Sequence, residues 1–238
     1  MKRHSTLLTV CLLAGLATQA VPAAENWKDL FDGKTLTGWI QRGGKAKYTV
    51  EDNCIVGATV LNTGNSFLCT EKDYGDFILE LEFKVDPKLN SGVQIRSLCF
   101  EKDTAPTDKN GEPLKDLTGK VMGKIPAGRV HGYQVEIDPA KRAWSGGIYE
   151  EGRRGWLNDL SKNDAARAAF KQGEWNKFRI ECKGDAIKTW LNGVPAADLK
   201  DEATPKGFIG LQVHGIGKDA AKEGIQVRWR NIRIQELN

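Results

Sequence analysis

Three short segments of this chain repeat one arrangement of side chains: "GVQIRS" (92–97), "YQVEID" (133–138) and "LQVHG" (211–215). Each places a glutamine, then Ile or Val, then an ionisable residue. Such alternation marks a strand, whose successive side chains point to opposite faces. Gln94 then shares a face with Arg96, Gln134 with Glu136 and Asp138, and Gln212 with His214. Neighbouring strands lie ~4.8 Å apart, and same-face residues ~6.7 Å apart along a strand. If the three strands are close in one sheet, these seven side chains converge within reach of one ligand.

Glutamine offers both a donor and an acceptor, which suits sugar hydroxyls. Arg, Glu, Asp and His add anion stabilisation and proton transfer. A solvated sheet face favours Lys, Glu and Thr instead, as "ILELEFK" does with Glu80, Glu82 and Lys84. Glu136 and Asp138 are spaced so that one can raise the pKa of the other in a partly dry cleft. His131 falls by parity with Tyr133 on the apolar side and reads as a satisfied structural histidine. The segment "AWSGGIYEEGRRGWL" (143–157) adds Tyr149, Arg153 and Trp156, an aromatic and guanidinium set suited to sugar rings and hydroxyls. The competing reading of Trp156 is a plug at the edge of the core.

The elements that must hold these residues are strands. Apolar runs are short, alternating and bounded by Gly, Asn, Asp or Pro. "KYTVEDNCIVGA" reads as two strands turning at Glu51 to Asn53, and "DFILELEFKV" puts Phe77, Leu79, Leu81, Phe83 and Val85 on one face. "KFRIECKGDAIKTWLNG" supplies two more strands around Gly184-Asp185 and closes on the hairpin signal Asn192-Gly193. Only residues 162–172 have helical composition. About ten strands without βαβ spacing predict an all-β fold, a two-sheet antiparallel jelly-roll sandwich in one domain over residues 24–238. Residues 101–129 break the rhythm and read as a long polar loop bordering the working face.

Residues 1–23 carry Lys2 and Arg3 ahead of "LLTVCLLAGLA" and read as an export signal, which predicts a periplasmic or extracellular protein without a transmembrane segment. Removing them lowers the formal charge from +4 to +2. No basic run remains, so a nucleic-acid partner is not expected. Cys54, Cys69, Cys99 and Cys182 stay behind, and oxidation outside the cytoplasm would allow disulfides. Cys182 alternates with Phe178 and Ile180, which fits a buried apolar thiol equally well. No cofactor motif, phosphate loop, nucleophile elbow or zinc pair occurs. Glu136, Asp138 and His214 offer a divalent cation only a weak set of ligands.

Taken together, "LFDGKTLTGW", "LNSGVQIRS", "GYQVEID", "SGGIYEEGRRGW", "EWNKFRIECKG", "WLNG", "GFIGLQVHG" and "RWRNIRIQEL" resemble the secreted bacterial 3-keto-disaccharide hydrolases over residues 27–237. The resemblance implies a concanavalin A-like, laminin G-like jelly roll with its site on the concave face. It implies a small carbohydrate substrate, a glycoside already oxidised at C3, and so a place after a sugar 3-dehydrogenase. A C3 ketone acidifies the C2 proton; a base removes it, the anomeric substituent is expelled, and water adds to the unsaturated sugar. Glu136 or His214 would be the base, Arg96 the anion stabiliser, and Asp138 or Tyr149 the acid. Gln94, Gln134, Gln212, Trp156 and Arg153 would bind the sugar. The alternatives are a non-catalytic, lectin-like carbohydrate-binding module and an envelope interaction domain.

Overall fold

A computed structural model describes residues 26–237, so the predicted export signal lies outside the described residues. Fifteen strands follow one another: β1 (Lys28–Asp29), β2 (Trp39–Gly43), β3 (Lys47–Glu51), β4 (Cys54–Ala58), β5 (Ser66–Thr70), β6 (Phe77–Val85), β7 (Ser91–Cys99), β8 (Val130–Ile137), β9 (Ile148–Glu151), β10 (Gly155–Asn158), β11 (Asn176–Lys183), β12 (Ala186–Leu191), β13 (Val194–Lys200), β14 (Phe208–Val213) and β15 (Gln226–Glu236). The short helix α1 (Asp164–Ala169) connects β10 to β11 and is capped by Asn163. Two antiparallel sheets result. One runs β13-β12-β11-β6-β15-β4-β3, with β1 added to β15; the other runs β10-β9-β8-β7-β14-β5-β2. The sandwich expected from the strand rhythm is therefore present, with more strands than the apolar runs disclosed. Short edge elements such as β1, β2 and β10 carry too little alternation to be read alone.

Burial of the alternating apolar residues holds the sheets together. From the first sheet come Phe77, Leu79, Leu81, Phe83, Phe178, Ile180 and Trp229; from the second come Val93, Ile95, Tyr133, Val135, Ile137, Ile209 and Leu211. Turn chemistry fixes the register. Asp52 and Asn53, both at positive φ, close the β3–β4 hairpin, and Asn192 with Gly193 closes β12–β13. All four described cysteines are free thiols. Cys182 is buried in the core, where loss of solvation pushes its thiol pKa up to about 12.

The three glutamine strands belong to the same sheet, and two of them flank the third: β7 pairs with β8 on one side and β14 on the other. Parity fails at one position. Ile95 pairs with Tyr133 but Leu98 pairs with His131, so Arg96 and Ser97 together oppose Gly132 in a β-bulge. Arg96 takes φ +45 there, and Gly132, at φ +133, leaves no room for a side chain: a Cβ would sit 2.7 Å from Ser97 Oγ. The bulge turns Arg96 away from its strand mates. Its Nε donates to Gly75 O at 2.8 Å, one terminal nitrogen to Gly184 O at 2.8 Å and the other to Asp76 Oδ1 at 2.7 Å. The expectation that Arg96 shares a face with Gln94 is thus corrected: it is a fully buried tie from the second sheet to the first.

Residues 101–129 fold back on themselves rather than run as an open loop. Asp108 and Asp116 each cap a tight turn with their carboxylates, and Leu114 and Ile125 are buried beneath. Lys109 pairs with Glu202, so the tip lies against the segment before β14. Its base, Ala127 to Arg129, reaches the outer face of the second sheet, where it lines a hollow with Glu151.

Replacing Arg96 by Ala should cost about 3 kcal/mol of stability, because it removes three hydrogen bonds that tie the two sheets and leaves a void where a fully buried side chain stood. Denaturant unfolding checks this as a lowered midpoint.

Candidate active site

The outer face of the second sheet carries two polar rows. Strand pairing aligns Trp156, Tyr149, Gln134 and Gln94 across β10, β9, β8 and β7. The next row joins Glu136, Gly92 and Gln212 across β8, β7 and β14. A cleft of about 350 Å³ opens above them, lined by Asn65, Asn90, Gln134, Glu136, Arg142, Tyr149, Glu151, Trp156, Gln212 and His214.

Glu136 is the most constrained of these. It is 4% exposed, and both carboxylate oxygens accept from side-chain amides: Asn90 Nδ2 at 2.5 Å and Gln134 Nε2 at 2.8 Å. Behind Gln134 the bonds continue. Ser97 Oγ donates to Gln94 Oε1 at 2.6 Å, and Gln94 Nε2 donates to Gln134 Oε1 at 2.7 Å. The ionised Glu136 carboxylate can only accept, so Gln134 presents its N–H to it, and each amide then sets the next back to the Ser97 hydroxyl, which serves as donor at the far end. Burial drives the Glu136 pKa up; the two amides favour the carboxylate and pull it back, and nearby Asp138 pushes upward, leaving it at about 7. The spacing of Glu136 and Asp138 does act as expected, as a contribution smaller than burial.

Asp138 itself is fully engaged. Its carboxylate accepts from Ala140 N at 3.1 Å, Arg142 Nε at 2.5 Å and Trp144 N at 3.4 Å, organising the turn after β8. It lines the neighbouring hollow with His214 and Asn90, not the cleft over Gln134. What it delivers to the cleft is Arg142, whose guanidinium lies 4.8 Å from the Trp144 ring and 5.3 Å from the Trp156 ring. Arg142 therefore occupies the role of cleft cation that parity had given to Arg96. Trp156 is half-buried and meets Tyr149 edge to face at 5.3 Å, so it forms the wall of the cleft. Burial, with Glu151 and Glu136 nearby, raises the Tyr149 pKa above that of a free phenol.

The remaining expected residues divide. Gln212 lines the cleft and directs Nε2 toward Glu151 Oε2 at 3.4 Å. Gln94 is fully buried under the cleft floor and touches the site through Gln134. His214 follows β14 at the exposed rim, its Nδ1 2.8 Å from Gly215 O. Arg153 is a second correction. Its side chain is 1% exposed, donating to Thr204 Oγ1 at 2.7 Å and lying 3.3 Å from Glu150 in an inward network that includes Arg154, Asp201 and Tyr133. On β9, Ile148 and Glu150 face inward while Tyr149 and Glu151 face the cleft, and the Gly152 turn returns Arg153 to the interior. His131 is buried against the Phe100 ring as parity predicts, but neither ring nitrogen has a partner. Burial together with Arg153 and Arg129 pushes its pKa down to about 3, so the ring is neutral. Among the described residues no group of three or more His, Cys, Asp or Glu side chains is arranged to hold a metal ion.

Four cleft residues escaped the sequence reading. Asn65, Asn90 and Arg142 stand in connections, where no periodicity points to a face. Glu151 was legible, since it alternates with Tyr149.

Over residues 26–235 the chain matches the family described as the 3-keto-alpha-glucoside-1,2-lyase-like domain. A Bacteroides thetaiotaomicron protein named 3-keto-disaccharide hydrolase is 24% identical, across 90% of this chain and 80% of that protein. Two solved structures share the fold. Carbohydrate-binding module CBM66 of Bacillus subtilis superposes with a TM-score of 0.53 at 16% identity, over 84% of this chain and 96% of its own. A galectin-like protein of unknown function, also from Bacillus subtilis, gives 0.55 at 13% identity, over 84% and 90%.

Gly92 is the position on which the cradle turns. A Cβ there would fall 2.5 Å from both Cγ and Cδ of Gln134, so Gly92→Ala should displace that side chain although alanine suits a strand better than glycine. With one donor to the carboxylate gone, the charged form loses support and the Glu136 pKa should rise above its wild-type value near 7. Carbon-13 NMR titration of the glutamate carboxyls reads the shift.

Proposed function

The chain belongs to the 3-keto-alpha-glucoside-1,2-lyase-like family, and from that premise we propose that it cleaves glycosides carrying a ketone at C3, with Glu136 as the base that removes the C2 proton. The observation that carries this reading is the desolvated Glu136 carboxylate held between two amide donors. A general base works best when its pKa lies near the working pH. Burial supplies that tuning, and the two amides aim both oxygens while leaving the group ionised above about pH 7.

The remaining groups fit the steps. The sugar ring lies against Trp156 and Tyr149, over the amide of Gln134. Arg142, held by Asp138, faces the same space and balances the negative charge that develops on the C3 oxygen as the C2–H bond breaks. When the enolate collapses, the ketone re-forms, C1=C2 becomes a double bond and the anomeric oxygen departs with the leaving group. Addition of water at C1, with a proton returned to C2, completes hydrolysis. An upstream sugar 3-dehydrogenase must supply the ketone, because without it the C2 proton is not acidic. The same proposal puts the mature protein outside the cytoplasm, released by cleavage after residue 23. A lectin-like module is the weaker reading, since reversible glycan binding gains nothing from a buried carboxylate tuned to neutrality.

Aglycone release from matched 3-keto and ordinary glycosides tests this, with release expected only from the former. Glu136→Gln keeps the shape, removes the basicity and should lower turnover about 10²- to 10⁴-fold while glycoside binding persists. Because the ionised base is the active form, kcat/KM for the free enzyme should fall as pH drops through about 7. Deuterium at C2 should slow release if proton removal limits the rate; release with no isotope effect together with full retention of the deuterium in the product would exclude elimination.

A further inference from the structure

Glu151 stands on the divide between two depressions. With Asn65 it lines both the 350 Å³ cleft over Gln134 and a neighbouring hollow of about 540 Å³, which Lys45, Thr63, Phe67 and Arg129 also border. Its position relative to Glu136 is set by strand register. Glu151 pairs with Gly132, and Gly132 is four residues before Glu136 on β8, so the two glutamates spring from points ~13 Å apart along the strands and ~4.8 Å apart across them, about 14 Å in all. The rung between them carries Gln134 and Tyr149. Both glutamate side chains line the cleft above that rung.

We propose that Glu151 is the acid that protonates the departing anomeric oxygen, and that the adjoining hollow holds the leaving group. This rests on the elimination reading above. The ring over Gln134 presents its C2–H to Glu136 and the adjacent C1–O bond to Glu151. As the enolate electrons form C1=C2 and the C1–O bond breaks, the Glu151 carboxyl proton passes to that oxygen and the aglycone leaves as a neutral alcohol. The resulting Glu151 carboxylate then takes a proton from the water that adds at C1, while Glu136 returns its proton to C2. Both side chains end as they began.

Its surroundings suit a proton donor. Asn65 Nδ2 and Gln212 Nε2 approach Glu151 Oε2 only loosely, each at 3.4 Å, so neither amide clamps the carboxylate as Asn90 and Gln134 clamp Glu136. Burial raises the Glu151 pKa by more than Arg129, His214 and Asn65 lower it. The other acids are less well placed. Asp138 is committed to Arg142 and two backbone N–H groups, and Tyr149 sits on the rung beneath the ring with its pKa raised.

A leaving group that needs no proton separates this role from a structural one. Wild type and Glu151→Gln are compared on a series of 3-keto-glycosides whose leaving groups run from 4-nitrophenol to a simple alkyl alcohol. For the variant, the loss in kcat/KM should grow with leaving-group pKa, at least a hundredfold larger for the alkyl alcohol than for 4-nitrophenol. An equal loss on every member of the series, or no loss on any, would overturn the assignment. A wild-type protein inert toward the whole series would overturn the elimination reading itself and this assignment with it, a result readily told apart from the others.

Discussion

Everything at the candidate site depends on one directional run of hydrogen bonds, from Ser97 through Gln94 and Gln134 to Glu136. Each glutamine side chain has one carbonyl and one NH2 group, so the acceptor-only carboxylate at the end of the run fixes the orientation of both. The run is buried, which makes a reversed amide costly: it would set oxygen against oxygen where no water can intervene. A carboxylate in an apolar pocket would protonate or seek a cation. Here it meets two amide N–H groups instead, which keep it basic without neutralising it. The sheet exists, from the standpoint of the chemistry, to hold this row in register, and Gly92 leaves the gap into which Gln134 fits.

The same sheet divides its labour by face. Val93, Ile95, Tyr133, Val135 and Leu211 close the core, while the residues between them build the cleft, so a one-residue slip would exchange the two sets. Two bulk features oppose such a slip. Arg96 ties the second sheet to the turn before β6 and to the β11–β12 hairpin, and the network of Glu150, Arg153, Arg154 and Asp201 braces β9 from behind. Cations expected to meet substrate serve instead to hold the strands that do. Arg142, on a turn organised by Asp138, is the cation left to face the cleft.

Much of this was legible in the chain itself. The sandwich followed from alternation and turn residues, and Gln134, Glu136 and Gln212 were placed by parity alone. The failures have physical causes. Arg96 was assigned its face by counting in twos, and counting breaks at the bulge opposite Gly132. Arg153 was chosen by residue type within a Gly-rich segment, where the Gly152 turn sends its side chain inward. Asn65, Asn90 and Arg142 lie in connections, where sequence offers no period to count. Their placement depends on which strands become neighbours, and that is a property of the whole fold.

The central claim, that Glu136 takes a proton from carbon, can be isolated from bond cleavage. A 3-keto C-glycoside has no anomeric oxygen to expel, so only the first step is open to it. Incubated with the protein in heavy water and followed by proton NMR, such a compound should lose its C2–H signal at an enzyme-dependent rate, and Glu136→Gln should abolish the acceleration. Binding of the compound without any acceleration of exchange, or exchange undiminished in the variant, would contradict the account.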